Sequence, residues 1–123
     1  MKFSCEKLLL QSAIATASRA VAAKSTIPAL EGVLLQAGSQ LTVSGYNMQT
    51  GIRTTLEADI TEEGALVLPA RLFGEIIRRL PDDVVTFASD KGMNVQLTCG
   101  DAAYNITALS AEDYPELPEV EDQ

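Results

Sequence analysis

The residue types that most often perform catalysis or bind metals are scarce in this sequence. There is no histidine, which removes the commonest general base and the commonest zinc ligand. The two cysteines, Cys5 and Cys99, cannot supply the four ligands of a structural zinc site by themselves, and no glycine-rich phosphate-binding loop is present. Two pairs of adjacent carboxylates occur in the turn-like segments TEEGA and LPDDV, where we interpret them as solvated acids. The sequence therefore predicts a protein that is not an enzyme and holds no metal or cofactor.

The positively charged residues are unevenly distributed and could bind a polyanion. The 123-residue chain has a net charge of −8, from nine Lys and Arg against 17 Asp and Glu. Two segments, 6–24 and 70–80, contain six cations against two carboxylates, whereas the rest of the chain has three cations against fifteen carboxylates. The six cations are Lys7, Arg19, Lys24, Arg71, Arg78 and Arg79. A basic face on an otherwise acidic body suits contact with the phosphates of a nucleic acid.

Binding through such a face would be weak and independent of nucleic-acid sequence. Roughly three or four phosphate contacts correspond to a salt slope of about −3 to −4 and to a dissociation constant of about 10⁻⁴ M or weaker. No aromatic residue is predicted on the basic face to stack on bases. Arg71 and Arg78 lie about 20° apart around their predicted helix. Gly74 is beside them, where an external surface could approach closely.

Alternating apolar residues predict strands, and a 3.6-residue period predicts two helices. The predicted order is strand 1–5, helix 6–21, strands 30–37, 40–46 and 51–60, strand 65–69, helix 70–80, and strands 84–89, 93–99 and 102–109. The chain thus consists of two units of strand–helix–three strands, roughly residues 1–60 and 65–109. Such units predict an α+β fold with the two helices packed on one face and antiparallel sheets behind them.

Several motifs, in this order along the chain, are similar to one known family. They are the opening MKF strand, STIPALEGVLLQ, LTVSGYNMQTGI, LPARLFGEIIRRLP and YNITALSAEDYP. Together they resemble the N-terminal domain of the bacterial DNA polymerase III beta subunits, the sliding clamps, over essentially all of residues 1–118. The most specific pieces are T-x-P-x-L, from Thr26 to Leu30, and L-P-A-R-x-F, from Leu68 to Phe73.

The resemblance implies a DNA-clamp fold and a function in DNA replication. Subunits of this family have three similar domains, and two subunits close head to tail into a ring around double-stranded DNA, with helices lining the hole. The ring is a processivity factor that keeps the polymerase on DNA, is opened by an ATP-driven clamp loader, and catalyses nothing itself. For the full-length protein the implied partners are double-stranded DNA, DNA polymerase III, the clamp loader and a second subunit in a ring homodimer.

The resemblance also indicates DNA-binding residues. Lys24 occupies the basic position before T-x-P-x-L, which in the family reaches duplex phosphate in the pore. Arg71, which follows the proline and alanine of the second motif, is expected to do the same. Arg78 and Arg19 are further DNA-binding candidates on helix geometry alone.

The resemblance implies a subunit interface at the last strand, where the ring of the family closes. The matching positions are Tyr104 and Ile106, with Ile76 on the neighbouring helix. If Tyr104 and Ile106 both point outward, they form an apolar edge that another subunit must cover. The alternative is that alternate residues of this strand face the core of the domain.

A second function is also compatible with the residues alone, namely an acidic α+β protein-interaction module whose basic helices dock an acidic partner.

The acidic tail from Ser110 has no hydrophobic period. Residues 1–118 are expected to form one domain, and residues 119–123 are expected to be the start of a linker to a second domain. The groove that captures clamp-binding peptides belongs, by the resemblance, to domains outside this sequence. No apolar run approaches the ~18 residues that cross a bilayer, and no signal peptide is present at the start, so we expect a cytoplasmic protein.

Overall fold

The structure of the protein is a computed structural model that describes residues 1–115. The strands are β1 (Lys2–Glu6), β2 (Gly32–Ala37), β3 (Leu41–Tyr46), β4 (Gly51–Leu56), β5 (Asp59–Glu62), β6 (Gly64–Pro69), β7 (Val84–Ser89), β8 (Asn94–Cys99), β9 (Ala102–Thr107) and β10 (Leu109–Ser110). The helices are α1 (Lys7–Ser18) and α2 (Ala70–Arg79), with short 3₁₀ helices at Pro28–Glu31 and Ala111–Asp113. The predicted linker at residues 119–123 lies outside the described residues.

The strands form two antiparallel five-stranded sheets. The first sheet has the order β5-β1-β7-β8-β9, and the second sheet has the order β10-β6-β2-β3-β4. Each sheet combines the opening strand of one sequence unit with the three-stranded meander of the other, because β1 pairs with β7 and β6 pairs with β2. The predicted α+β fold, with two helices and antiparallel sheets, is confirmed, and its two units are interlocked.

The predicted number of strands in each unit is wrong by one. The predicted strand 51–60 is two strands, β4 and β5, separated by Glu57 and Ala58, and the predicted strand 102–109 ends in β9 before β10 begins. At both breaks the chain leaves one sheet and joins the other. Alternation of buried and exposed residues continues through Leu56, Ala58 and Ile60, because the chain stays extended across the break. A period-two pattern therefore cannot reveal the change of sheet.

The two helices pack against each other, and α1 also packs over β3 and β4. Apart from Lys7, their buried residues are apolar and recur at the spacings of three and four that define one helix face. These residues are Leu10, Ala13, Ile14 and Ala17 of α1 and Ala70, Phe73, Ile76 and Ile77 of α2. They join the inward-facing residues of both sheets in one main core. Neither α-helix within residues 1–115 has the length and apolar character needed to cross a membrane.

Helix α1 ends earlier, and the strand that follows it begins later, than the sequence predicts. α1 ends at Ser18, because the following amides of Ala20 and Val21 donate to carbonyls only three residues back, at 3.1 and 3.2 Å. The predicted strand 30–37 begins only at Gly32, because Pro28–Glu31 is a 3₁₀ helix. Residues 19–27 between them form an irregular segment, called the corner loop below.

Gly45 of β3 lies directly against the backbone of α1. A Cβ at this position would overlap with the carbonyl oxygen of Ala17, whereas a Cβ at Gly38 would have nothing within 4 Å. Gly45→Ala should therefore lower the free energy of unfolding by about 2 kcal/mol or more. The matched control, Gly38→Ala, should change it by less than about 0.5 kcal/mol. Urea unfolding followed by circular dichroism measures both values, and equal stabilities would contradict the close packing of α1 on β3.

The buried thiol of Cys5 makes stability depend on alkaline pH. Burial, with a smaller contribution from the Glu6 carboxylate, raises the pKa of Cys5 from its ordinary value of 9.0 to about 12. The unfolded chain therefore loses this proton first, and the free energy of unfolding should fall as the pH rises from about 9 towards 12. Cys5→Ala should show a smaller fall in the urea midpoint between pH 8.5 and pH 11. An unchanged pH dependence in the variant would rule out this contribution.

Candidate nucleic-acid interface

The two helices leave a shallow groove of about 330 Å³ between them. Arg71 and Arg78 of α2 line it together with Gln11 and Ser18 of α1. Both arginines are exposed. Seven residues separate them, close to two helical turns, so their side chains leave the same helix face about 10 Å apart. The structure thus brings Arg71 and Arg78 together on one surface, as the helix period predicted.

Gly74 lies between these two arginines and faces the other helix. A Cβ at this position would have Ile14 Cγ2 of α1 as its nearest neighbour, at 3.7 Å. This is an ordinary van der Waals distance, so the packing of α1 against α2 does not require glycine at this position. Sequence reasoning predicted that the two helices pack on one face but missed Ser18 as a lining residue of the groove, because no local pattern states which residues of the two helices meet.

Lys7 does not belong to the basic surface, although its position in the sequence placed it there. Its side chain is buried, and its ammonium group donates to Asp82 Oδ1 at 3.1 Å. The backbone amide of Lys7 also donates to the Asp83 carbonyl oxygen at 3.0 Å. Lys7 therefore connects the start of α1 to the segment after α2. Without it, the two basic segments have five exposed cations against two carboxylates.

Arg19 and Lys24 extend the basic surface beyond the end of α1. Arg19 follows Ser18 directly, Lys24 lies in the corner loop, and both are exposed. The amide of Ala22 donates to the Leu30 carbonyl at 3.0 Å, and this hydrogen bond joins the two sides of the segment that contains Lys24. Within residues 1–115, no carboxylate forms an ion pair with Arg19, Lys24, Arg71 or Arg78. Their charges are therefore available to an external anion.

A second apolar cluster anchors the corner loop to the sheet. Leu41 and Val43 of β3 face the main core, whereas Tyr46, on the opposite face of that strand, belongs to the second cluster. Its buried members are Ala29, Leu30, Leu34, Tyr46, Val67 and Tyr114, with Ala22, Ile27 and Ala111 packed against them. Because Ala22 and Ile27 flank Lys24, the cluster holds both sides of the segment that presents this cation.

Tyr114 shows that the acidic tail begins later than its composition indicated. Leu109 and Ser110 form β10, residues 111–113 form a 3₁₀ helix, and Tyr114 is buried. Burial raises the pKa of the Tyr114 phenol to about 12. A single aromatic residue among carboxylates has no periodic signal, so sequence reasoning could not identify it as part of a core.

The predicted interface residues are mostly part of the domain's own core. Ile76 and Ile106 are buried in the main core, and Tyr104 is half-buried against it. In β9, Tyr104 and Ile106 are opposite Leu97 and Val95 of β8 and share their inward face. Of the two arrangements that the sequence left open, the structure has the second: Tyr104 and Ile106 do not both point outward, because alternate residues of this strand face the core. A contact of these residues with another subunit stays a prediction.

Glu62, Asp90 and Cys99 have pKa values that the surrounding structure shifts. Glu62, interpreted from sequence as a solvated acid, accepts a hydrogen bond from the Met1 amino group at 2.9 Å, which lowers the pKa of Glu62. The backbone amides of Asn94 and Gly92 donate to Asp90 and lower its pKa. Burial, and next the Asp83 carboxylate, raise the pKa of Cys99. Within residues 1–115, no three His, Cys, Asp or Glu side chains are grouped to hold a metal ion.

Comparison with known proteins decides the family. The family model described as the DNA polymerase III beta subunit, N-terminal domain, matches residues 1–118. The chain belongs to this family. Among curated proteins, the chain is 35% identical over 126 residues to the beta sliding clamp of Synechococcus elongatus, covering 100% of this chain and 34% of that protein. It is also 35% identical over 121 residues to the beta sliding clamp of Streptomyces coelicolor, covering 98% and 32%.

Solved structures of beta subunits have the same fold. The crystal structure of a putative DNA polymerase III beta subunit from Eubacterium rectale is 34% identical with a TM-score of 0.94, covering 98% of this chain and 33% of that one. The DNA polymerase sliding clamp from Bacillus subtilis is 28% identical with a TM-score of 0.93, covering 98% and 34%. The predicted family and the predicted clamp fold are confirmed. The chain spans about one third of the length of the curated relatives it matches.

The anchoring of the corner loop in this clamp domain can be tested at Tyr114. Removing the ring should leave a cavity in the second cluster, so Tyr114→Ala should lower the free energy of unfolding by about 3 kcal/mol. The Tyr114 hydroxyl makes no hydrogen bond of ordinary geometry within residues 1–115, so Tyr114→Phe should stay within about 1 kcal/mol of the parent. Thermal unfolding measures both, and hydrogen exchange of the bonded amides of Ala22 and Ile27 should rise in Tyr114→Ala alone. Unchanged exchange there would disprove the anchoring.

Proposed function

We propose that this chain serves as the N-terminal domain of a replicative sliding clamp, one arc of a ring that encircles double-stranded DNA and keeps the polymerase on it. The family to which the chain belongs supports this function. The main structural observation in its support is a pair of exposed arginines, Arg71 and Arg78. Both line the groove between α1 and α2, and neither forms an ion pair within residues 1–115.

In this proposal the helix pair faces the DNA and contacts its phosphates. Arg71 and Arg78 supply charge along α2, and Arg19 and Lys24 supply charge beyond the end of α1. With about four phosphate contacts, the logarithm of the binding constant falls with a slope of about −3.6 against the logarithm of salt concentration. Binding of one such domain is then weak at physiological salt, and closure of the ring, a topological constraint, keeps the protein on DNA.

The distribution of charge supports contact that is confined to the helices. The groove and the corner loop present four cations, Arg19, Lys24, Arg71 and Arg78, against one carboxylate, Glu75, whereas the rest of the chain has a large excess of carboxylates. Like charges repel, so the acidic surfaces disfavour contact with the phosphate backbone at any other face. Among the described residues, no aromatic ring lines the groove, so no side chain there stacks on bases. Loose contact of this kind is compatible with sliding.

The function is mechanical in this proposal, since tethering a polymerase requires no reaction by the clamp itself. The partners of the complete gene product would be DNA polymerase III, the clamp loader and a second subunit, in the bacterial cytoplasm. β9 is an edge strand of the first sheet, so its outward backbone groups can pair with a strand of another subunit. The exposed part of Tyr104 adds apolar area beside that edge, while Ile76 and Ile106 support it from within the core.

The ring itself is tested by linearising circular DNA. The complete gene product is loaded by its clamp loader onto a nicked circular duplex, and the circle is then cut once with a restriction enzyme. Rapid loss of protein after the cut, measured by gel filtration of DNA-bound protein at about 150 mM salt, supports topological retention. Equal retention on circular and linear DNA would replace the clamp by an ordinary DNA-binding protein.

The contact residues are tested by charge reversal with a matched control. Lys24→Glu with Arg71→Glu should reduce the salt slope of DNA binding by about 2, since each lost phosphate contact removes about 0.9. Lys91→Glu changes an exposed lysine in the β7–β8 turn and should leave the slope unchanged. Binding to a short duplex is measured by fluorescence anisotropy between about 20 and 200 mM salt. Equal effects of the two changes would mean that net charge, and not these positions, governs binding.

A further inference from the structure

Three exposed apolar side chains lie together around the first turn of α1. Leu8 is 58% exposed, Leu9 is 45% exposed, and Val84, at the start of β7, is 49% exposed. Only three other large apolar residues within residues 1–115 are exposed to a comparable extent, namely Met48, Leu72 and Leu109. Single exposed apolar residues are ordinary, whereas a group of them marks an interaction surface. We call the group of Leu8, Leu9 and Val84 the α1-start patch.

The patch has a shape that can receive a chain segment. A cleft of about 260 Å³ lies between α1 and the α2–β7 connection and is lined by Leu8, Asp82 and Asp83 among others. A second cleft, of about 480 Å³, lies between α1 and the β4–β5 connection and is lined by Leu9, Glu57 and Asp59 among others. Glu6 and Val84 line both clefts, so the two clefts adjoin each other at the patch.

The rim of the patch is strongly acidic. Five exposed carboxylates line the two clefts, and the one cation that lines them is buried Lys7, which already pairs with Asp82. The carboxylates are Glu6, Glu57, Asp59, Asp82 and Asp83. Within residues 1–115, no cation forms an ion pair with Glu6, Glu57 or Asp59. Apolar residues at the centre and unpaired negative charge at the rim define the chemistry of a complementary partner.

The patch is distinct from the candidate nucleic-acid interface. Leu8 and Arg19 lie at opposite ends of α1, and eleven residues of helix correspond to about 16 Å. The net negative charge at the patch repels a phosphate backbone, whereas the surface around Arg19 attracts one. A single polyanionic ligand therefore does not account for both ends of this helix.

We propose that the α1-start patch binds a cationic apolar peptide segment of another protein. Two or three aliphatic or aromatic residues of the segment cover Leu8, Leu9 and Val84. Lysine or arginine residues on either side of them reach Glu57 and Asp59 in one cleft and Asp83 in the other. The charge complementarity of this arrangement sets the orientation and the salt dependence of binding, while burial of the apolar residues supplies affinity. The inference does not depend on DNA binding.

The test uses the 123-residue chain and a defined synthetic probe. The probe is a blocked nine-residue peptide with two lysines, glycine, Leu-Phe-Leu, glycine and two lysines; one control peptide has glutamate for lysine, and another has serine for Leu-Phe-Leu. Binding is followed by amide chemical shifts at about 50 and 500 mM salt. The proposal expects shifts centred on Leu8, Leu9 and Val84, affinity that is at least fivefold weaker at high salt, and at least tenfold weaker binding of both control peptides.

Matched variants separate this surface from nonspecific attraction to an acidic protein. Leu8→Gln with Leu9→Gln, and Glu57→Lys with Asp59→Lys, should each weaken binding of the lysine peptide at least fivefold. Leu72→Gln, at a residue that is 45% exposed like Leu9, and Glu112→Lys, at an exposed carboxylate elsewhere, should leave binding within twofold. All the changed side chains are exposed, so thermal unfolding should confirm an intact fold.

Three results would overturn the proposal. Equal losses in the patch variants and the matched controls would show attraction by net charge alone. Concentration-dependent shifts at the patch without peptide, abolished by Leu8→Gln with Leu9→Gln, would show that a second copy of the chain is the occupant. Protection of the Leu8 and Leu9 amides in the complete gene product, with no peptide binding, would show that another part of the same protein covers the patch.

Discussion

The pairing of β1 with β7 joins the two halves of this chain, and the rest of the structure depends on it. Phe3 is opposite Phe87 in this pair, and the two rings stack with their centroids 4.6 Å apart. The equivalent pairing of β6 with β2 joins the halves in the other sheet. Each sheet needs strands from both units, so neither unit can bury its apolar face alone. One main core, built from both units, is the consequence.

This interlocking also explains how the basic groove is assembled. α1 begins directly after β1 in the first sheet and packs over β3 and β4 in the second sheet. α2 follows β6 in the same way and packs against α1. Arg71 and Arg78 are therefore held at a helix pair whose position is set by both sheets. A site on packed helices is more rigid than one on loops, which suits the weak contact with DNA proposed above.

Burial and ion pairing determine which of the charged residues in the sequence are available on the surface. Lys7 looks like part of a basic helix, but its pairing with Asp82 makes it a link between α1 and the start of β7. What stays exposed is a cationic surface at the groove and the corner loop, and an acidic rim around Leu8, Leu9 and Val84 at the other end of α1. Opposite surfaces on one short helix allow one small domain to meet two chemically different partners.

The sequence by itself determined the family, the α+β class, the order of both α-helices and of eight of the ten strands in residues 1–115, and the clustering of cations near two helices. These features depend on residues that are close in the sequence or on motifs such as STIPALEGVLLQ, and the spacing of apolar residues predicts the helices and strands directly. Only the tertiary structure decided that β4 and β5 belong to different sheets, that Ile106 faces the core, and that Tyr114 anchors the corner loop. The physical reason is that pairing and burial are relations between distant residues, whereas an extended segment has the same alternation whichever sheet it joins.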